Sequence, residues 1–308
     1  MRDATAVGGQ RAVLDAARAM HAERRAFALA LVVIADGSTY RKPGALALVG
    51  ADGTHVGVIS GGCLEPGLEV LAREALSAGA PRVTVFDTRS DDDLLFGSGS
   101  GCRGRMQVLA LPCEPGRPGD GVEAIIRAGI ERRPVTLSLA ALAPDLFDAG
   151  EVTVQATPQL LLVGASPEAR PLLRIARTLG WYCSVADHRE ALLAPDRIGA
   201  ADRVVPLRPE PALKAVSAER FDAALVMTHV ASTDLEALRG LATRDVPYIG
   251  LLGPLARRDE LLAQLAPMER ATLEPRLHAP VGLPLGGDGP EAIALAIAAE
   301  LQSVFHAR

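Results

Sequence analysis

Gln159-Leu160-Leu161-Leu162-Val163-Gly164-Ala165-Ser166-Pro167-Glu168-Ala169 decides the fold of the second half of this chain. Gln159 to Val163 is a continuous apolar run, as a strand buried on both faces would be. Gly164 to Ala169 is a tight turn, Arg170 to Leu179 reads as a helix, and Trp181 to Ala186 reads as a second strand ending at Asp187. That is a β-α-β unit. The alternation continues with Phe221 to Met227 as strand, Thr233 to Ala242 as helix and Tyr248 to Leu252 as strand. It predicts a parallel, doubly wound sheet.

The turn approximates the G-x-G-x-x-G/A pattern of dinucleotide-binding folds, with Gly164 first and Ser166 in the second glycine's place. That glycine lets a pyrophosphate approach the backbone. Two readings stand: a nucleotide site, or a nucleotide-type fold kept as scaffold. Asp187 either holds a ribose 2′-hydroxyl or caps the turn that follows it. Thr228-His229 closes a strand at the expected ligand crevice, with Asp234 shortly after. His229 is read as an acid/base group, a phosphate contact or a structural residue. Arg257-Arg258 either binds an anion or solvates a helix. Gly286-Gly287-Asp288-Gly289-Pro290-Glu291 opens the last helix, Ala292 to Phe305, with ordinary start signals.

The first half has a different character. Arg11 to Arg25 has helical spacing, and Phe27 to Ala35 reads as a buried strand. Ala45 to Val49 and His55 to Ile59 flank an Asp52-Gly53 hairpin turn. Ile59-Ser60-Gly61-Gly62-Cys63-Leu64-Glu65 then places a cysteine after two glycines, between that strand and a helix from Leu64 to Leu76. Glycines turn the backbone tightly and present its N–H groups, and a helix start favours thiolate. The bland alternative is a buried cysteine in a strand-to-helix turn. Arg82 to Phe86 is a further strand.

Gly97-Ser98-Gly99-Ser100-Gly101-Cys102-Arg103-Gly104-Arg105 repeats the chemistry, and Met106 to Leu111 follows as strand. Two glycine-cysteine loops, the second with two arginines, suggest a site for a soft centre plus an anion. Arg103 and Arg105 are expected on a flexible, exposed segment. Asp91-Asp92-Asp93 reads as a solvated acidic loop or a hard-cation ligand. A helix is expected from Val122 to Arg132, and the last strands of this half at Val135 to Leu139 and Glu151 to Gln155. The boundary is expected near Thr157-Pro158, giving domains 1–156 and 157–308.

A chain of 308 residues is long enough for two cores. Hydrophobic content is 49%, charged content 22% and net charge −5, so a nucleic-acid partner is not expected. Lys42 and Lys214 are the only lysines. Cys63, Cys102, Cys113 and Cys183 match no zinc spacing and imply no disulfide framework, which points to a reducing cytoplasm. Residues 1–26 lack a signal-peptide core, and Phe27 to Ala35 is too short to cross a bilayer, so no membrane partner is expected.

Taken together, the chain resembles the XdhC/CoxI family of molybdenum-hydroxylase accessory proteins. The resemblance rests on Arg41-Lys42-Pro43-Gly44-Ala45, Ser60-Gly61-Gly62-Cys63-Leu64-Glu65 and Gly99-Ser100-Gly101-Cys102-Arg103-Gly104-Arg105. Asp187-His188-Arg189, Met227-Thr228-His229 with Asp234, Tyr248-Ile249-Gly250-Leu251-Leu252-Gly253 and Val281-Gly282-Leu283-Pro284-Leu285-Gly286 add to it. It implies an α/β protein: an N-terminal mixed domain carrying both glycine-cysteine loops, then a Rossmann-like domain. It further implies a chaperone that binds the molybdenum–pterin cofactor as cargo, assists replacement of its oxo ligand by sulfur and delivers it to an apo molybdenum hydroxylase such as xanthine dehydrogenase. A cysteine desulfurase would supply the sulfur, and a homodimer is the expected assembly.

On this resemblance the cofactor-binding residues are Arg41, Lys42, Gly61, Gly62, Cys63, Glu65, Gly101, Cys102, Arg103, Arg105, Gly164, Asp187 and His229. Cys63 is the residue expected to handle sulfur or metal, with Cys63 and Cys102 as molybdenum contacts. Ser166 and Arg103 stand where the family tends to have glycine. The rival reading is an NAD(P)-dependent oxidoreductase using the Rossmann half, with His229 or Cys63 moving protons. A P-loop ATPase is disfavoured, because no G-x-x-x-x-G-K-[ST] segment exists.

Overall fold

The computed structural model describes residues 9–62, 64–89, 103–207, 213 and 219–306. Cys63, Gly101, Cys102 and the triplet Asp91-Asp92-Asp93 lie outside the described residues. The chain divides into two compact units, Met1–Thr157 and Pro158–Arg308.

The first unit begins with α1 (Gly9–Ala22), β1 (Phe27–Gly37), β2 (Leu46–Gly50), β3 (His55–Val56), α2 (Glu65–Ala78) and β4 (Arg82–Asp87). It continues with β5 (Gly104–Glu114), β6 (Arg117–Pro118), α3 (Asp120–Glu131), β7 (Val135–Ser138), α4 (Leu139–Leu142) and β8 (Glu151–Val154). Its main sheet is antiparallel in the order β3-β2-β1-β5-β4, with β6 beside β5. Leucine and alanine alternate along the three central strands, and the register aligns them. Leu29 faces Leu48 and Leu111, whereas Ala30 faces Ala47 and Ala110. The leucine face packs with Val13, Ala17 and Ile125 of α1 and α3. The alanine face packs with Leu68, Leu71, Ala72 and Ala75 of α2. Side chains alternate across a strand, so this pattern puts the small residues under the close helix.

One expectation is corrected here. The strand expected from His55 to Ile59 stops at Val56. Gly57 turns the chain at φ +84°, where a Cβ would meet Leu46 O at 3.1 Å, so Ile59 is buried from a turn and not from a strand. The last two strands of this half form where expected; β7 and β8 pair only with each other, as a separate ribbon.

The second unit contains β9 (Gln159–Val163), α5 (Ala169–Leu179), β10 (Tyr182–Asp187), α6 (Pro195–Ile198), β11 (Arg203–Pro206), β12 (Ala223–Val226) and α7 (Ala231–Ala242). Then come β13 (Tyr248–Leu251), α8 (Leu255–Leu262), α9 (Pro267–Leu273), β14 (Leu277–His278) and α10 (Pro290–Phe305). The sheet is parallel, in the order β11-β10-β9-β12-β13-β14. This is the doubly wound arrangement expected from the alternation. Leu160, Leu162, Val185 and Leu225 pack with α5 and α10 on one face; Leu161, Val163, Val226 and Ile249 pack with α7 to α9 on the other. Burial on both faces explains the unbroken apolar runs. β11, β14, α8 and α9 were not anticipated; they are short and carry little periodic signal. No helix among the described residues is long and apolar enough to cross a membrane.

Candidate functional site

In the second unit, strand order reverses between β9 and β12, where ligands dock in sheets of this kind. Gly164 has φ +122°, and a Cβ there would lie 2.5 Å from Met227 C and 2.6 Å from Thr228 N. Only glycine lets the two strand ends approach so closely. Asp187, at the end of β10, is fully buried. Its carboxylate accepts from Ala165 N–H at 2.7 Å, from Arg189 N–H at 2.8 Å, and from Arg189 Nε and Nη2 at 2.9 and 2.7 Å. Burial opposes ionisation, but these bonds outweigh it and hold the carboxyl below its ordinary range. Asp187 therefore clamps the glycine turn to the end of β10. A ribose hydroxyl would have to displace one of these bonds.

His229 sits in the left-handed region at φ +62°. Thr228 fixes it there. Its Oγ1–H donates to Asp234 at 2.5 Å while the same oxygen accepts from Val230 N–H at 3.1 Å. Buried Asp234 also accepts from Arg257 Nη2 at 2.7 Å. His229 Nε2 lies 3.5 Å from Glu168. Burial opposes ionisation of Glu168, but the nearby Ser166 hydroxyl, its own backbone N–H and His229 together keep its carboxyl below the ordinary range. Sequence reasoning missed the Glu168–His229 and Asp234–Arg257 pairs, because each joins segments far apart in the chain: the turn before α5 with the end of β12, and α7 with α8.

This crevice is poorly arranged for a nicotinamide dinucleotide. Ser166 is buried in the second glycine's place, Glu168 adds a carboxylate beside the turn, and Asp187 is fully engaged. NAD(H) and NADP(H) are expected to bind weakly or not at all by calorimetry. Submicromolar binding of either, with a substrate-dependent change in reduced-nicotinamide absorbance, would revive the oxidoreductase reading.

In the first unit, the residues around the first glycine-cysteine loop fold about one hydroxyl. Buried Ser60 donates through Oγ to Glu65 Oε2 at 2.5 Å and accepts from Gly62 N–H at 3.2 Å and Leu64 N–H at 3.0 Å. The loop was expected to present its N–H groups to a ligand; those of Gly62 and Leu64 point to Ser60 instead. Glu65 Oε1 is buried without a partner. Among the described residues, a Cβ on Gly61 or Gly62 would meet nothing within 4 Å.

Arg105 is on a strand and not in a loop, whereas Arg103 precedes that strand and is exposed, as expected. β5 starts at Gly104, whose N–H and carbonyl bond Thr88, and a Cβ there would lie 2.5 Å from Ser38 O. Arg105 pairs in register with Asp36 on β1 and Asp87 on β4, and its Nη1 lies 3.9 Å from Asp36 Oδ2. Arg89 holds Asp87 down to about 2, with a smaller contribution from Arg105. Arg105 thus stands beside two exposed carboxylates, of which Asp87 is held mainly by Arg89. Arg41 and Lys42 lie on the β1–β2 loop, which Ser38 N–H ties to Arg103 O at 3.2 Å. Lys42 Nζ lies 3.4 Å from Thr39 Oγ1, and neither cation has a carboxylate partner among the described residues. The start of α2 covers the same sheet end, since a Cβ on Gly67 would lie 2.7 Å from Phe86, the register partner of Met106. The structure therefore gathers Arg41, Lys42, Arg103, Arg105, Gly61, Gly62 and Glu65 toward one end of the antiparallel sheet. Among the described residues, no group of three His, Cys, Asp or Glu is placed to hold a metal ion.

Comparison with known proteins agrees with both halves. A profile described as the XdhC Rossmann domain matches residues 160–301, and one described as the XdhC and CoxI family matches residues 20–87. A probable xanthine dehydrogenase subunit from Bacillus subtilis is 30% identical over 315 residues, covering 89% of this chain and 91% of that protein. The "Uncharacterized protein YqeB" of Escherichia coli is 28% identical; the match covers 90% of this chain but 43% of that protein. A crystal structure described as a xanthine dehydrogenase from Bacillus halodurans superposes with a TM-score of 0.79 at 27% identity, covering 96% of each chain. With this fold, these motifs and these relatives, the chain belongs to the XdhC and CoxI family.

Proposed function

We propose that this protein is an accessory factor that carries the molybdenum–pterin cofactor to an apo molybdenum hydroxylase, xanthine dehydrogenase or a relative. It assists exchange of the cofactor's oxo ligand for sulfur supplied by a cysteine desulfurase. The observation that carries this reading is the sheet end of the first unit. No described residue crowds Gly61 or Gly62, the residues flanking Cys63 are pinned by Ser60, and Arg41 and Lys42 stand on a neighbouring loop without carboxylate partners among the described residues. Cations suit the phosphate of the pterin, and a thiolate suits a soft metal or transferable sulfur. Because Asp36 and Asp87 face Arg105, the phosphate contact falls first to Arg41 and Lys42. Kinship with a protein named for xanthine dehydrogenase supports the choice of client.

Cys63→Ala is expected to lose most cofactor retention and client activation while staying folded. Cys113→Ala is the control. Cys113 is buried in β5, where burial pushes its thiol up to about 11 and keeps it protonated. The measurements are pterin fluorescence of protein purified from a cofactor-producing host, and activation of an apo hydroxylase. Near-normal values for Cys63→Ala, equal to those of Cys113→Ala, would sink the proposal.

A further inference from the structure

The second unit holds a cavity of about 620 Å³ beside the glycine turn, lined by Arg170, Arg174, Arg189, Arg197, Ser166 and His229. Arg170 and Arg174 stand one turn apart at the start of α5, and Arg197 comes from α6. Several other arginines of this unit are engaged: Arg239 with Glu236, Arg257 with Asp234, Arg258 with Asp259 and Arg270 with Glu274, while Arg244 and Arg276 donate to backbone carbonyls. Among the described residues Arg170, Arg174 and Arg197 have no such partner. Asp196 and Glu291 also line the cavity. Arg189 is matched by Asp187, which leaves three guanidiniums facing two carboxylates.

A second observation is independent of these charges. Ser166 lines the same cavity and is only 5% exposed, and its buried Oγ has no partner within hydrogen-bonding geometry. The Glu168 carboxylate is close enough to feel this hydroxyl but does not complete a bond with it. An orphaned buried hydroxyl is costly unless something completes it. The positive end of α5 points the same way.

We propose that this cavity binds the phosphate of a phosphomonoester or diphosphate, gripped by Arg170, Arg174 and Arg197 with Ser166 as a neutral hydrogen-bond partner. The grip uses side chains. It does not need the close backbone approach that Ser166 denies to a dinucleotide, so it is compatible with weak NAD(P) binding. A nucleotide and the phosphate of the pterin cofactor share this chemistry. The site is in a different unit from the Cys63 loop, so its failure would leave the cargo reading standing.

The test is calorimetry on the full chain with pyrophosphate, AMP and adenosine. The parent should bind pyrophosphate or AMP saturably and adenosine not at all. Arg170→Gln combined with Arg174→Gln should weaken that binding about tenfold or more. Arg177→Gln, on the same helix but outside the cavity, should leave it unchanged. AMP binding much tighter than pyrophosphate marks a nucleotide site, and equal affinities mark a site for the phosphate alone; both support the proposal. No saturable binding of either probe, or equal weakening by Arg177→Gln, would overturn it.

Discussion

Gly164→Ala is expected to destabilise the second unit by about 3–5 kcal/mol, combining backbone strain with overpacking. At φ +122° a side chain is strained whatever the space, and here the added carbon would also run into Met227 and Thr228 backbone at about 2.5 Å. Backbone cannot swing aside as a flexible side chain can. The two strand ends would have to part, and the crevice between β9 and β12 would open. Trp181 is the only tryptophan and is buried in this unit, so its fluorescence during urea unfolding reports the effect directly. Gly61→Ala is the contrast. Nothing lies within 4 Å of a Cβ there, so it should change stability by less than about 0.5 kcal/mol. A Gly164→Ala protein within about 1 kcal/mol of its parent would contradict this account.

Asp187→Asn should cost about 3 kcal/mol near neutral pH, because it leaves Arg189 without its counter-charge. One amide oxygen replaces two carboxylate oxygens, while Ala165 N–H and three Arg189 donors still need acceptors. Arg189 is one-third exposed, so water relieves part of the loss. The carboxyl is held below its ordinary value in the folded state. Its contribution is therefore complete above the unfolded value, about 3.9, and fades as pH falls through the lower folded value. The stability gap between parent and Asp187→Asn should narrow by about 1 kcal/mol for each pH unit below about 4. Denaturant unfolding across that range checks it; a constant gap would show that the clamp is not ionic.

Much of the fold was legible. The runs Gln159–Val163 and Trp181–Ala186, with a glycine turn and a helical stretch between them, determined a buried parallel sheet. Phe27 to Ala35 read as a buried strand, but its pairing with β5 did not show, because antiparallel register depends on residues far along the chain. The leucine–alanine alternation was present in Leu29-Ala30-Leu31, Leu46-Ala47-Leu48 and Leu109-Ala110-Leu111 and could have revealed which face takes the close helix.

The candidate sites were legible only in their ingredients. Arg103-Gly104-Arg105 looked like a mobile cationic loop. Gly104 instead lets Ser38 and Thr39 cross over the start of a strand, and the ladder sets Arg105 between two aspartates. Arg170, Arg174 and Arg197 carry no motif in the sequence; only packing shows them sharing a cavity with Ser166. The sequence by itself determined most of the longer helices and strands, since hydrophobic period and turn residues act between near neighbours, but not the short elements such as β11, β14, α8 and α9. The tertiary structure decided which charges are cancelled and which are left for a ligand. Neighbouring pairs such as Asp187 with Arg189 are local, but Asp36 with Arg105, Glu168 with His229 and Asp234 with Arg257 join residues remote in the chain, which no local pattern encodes.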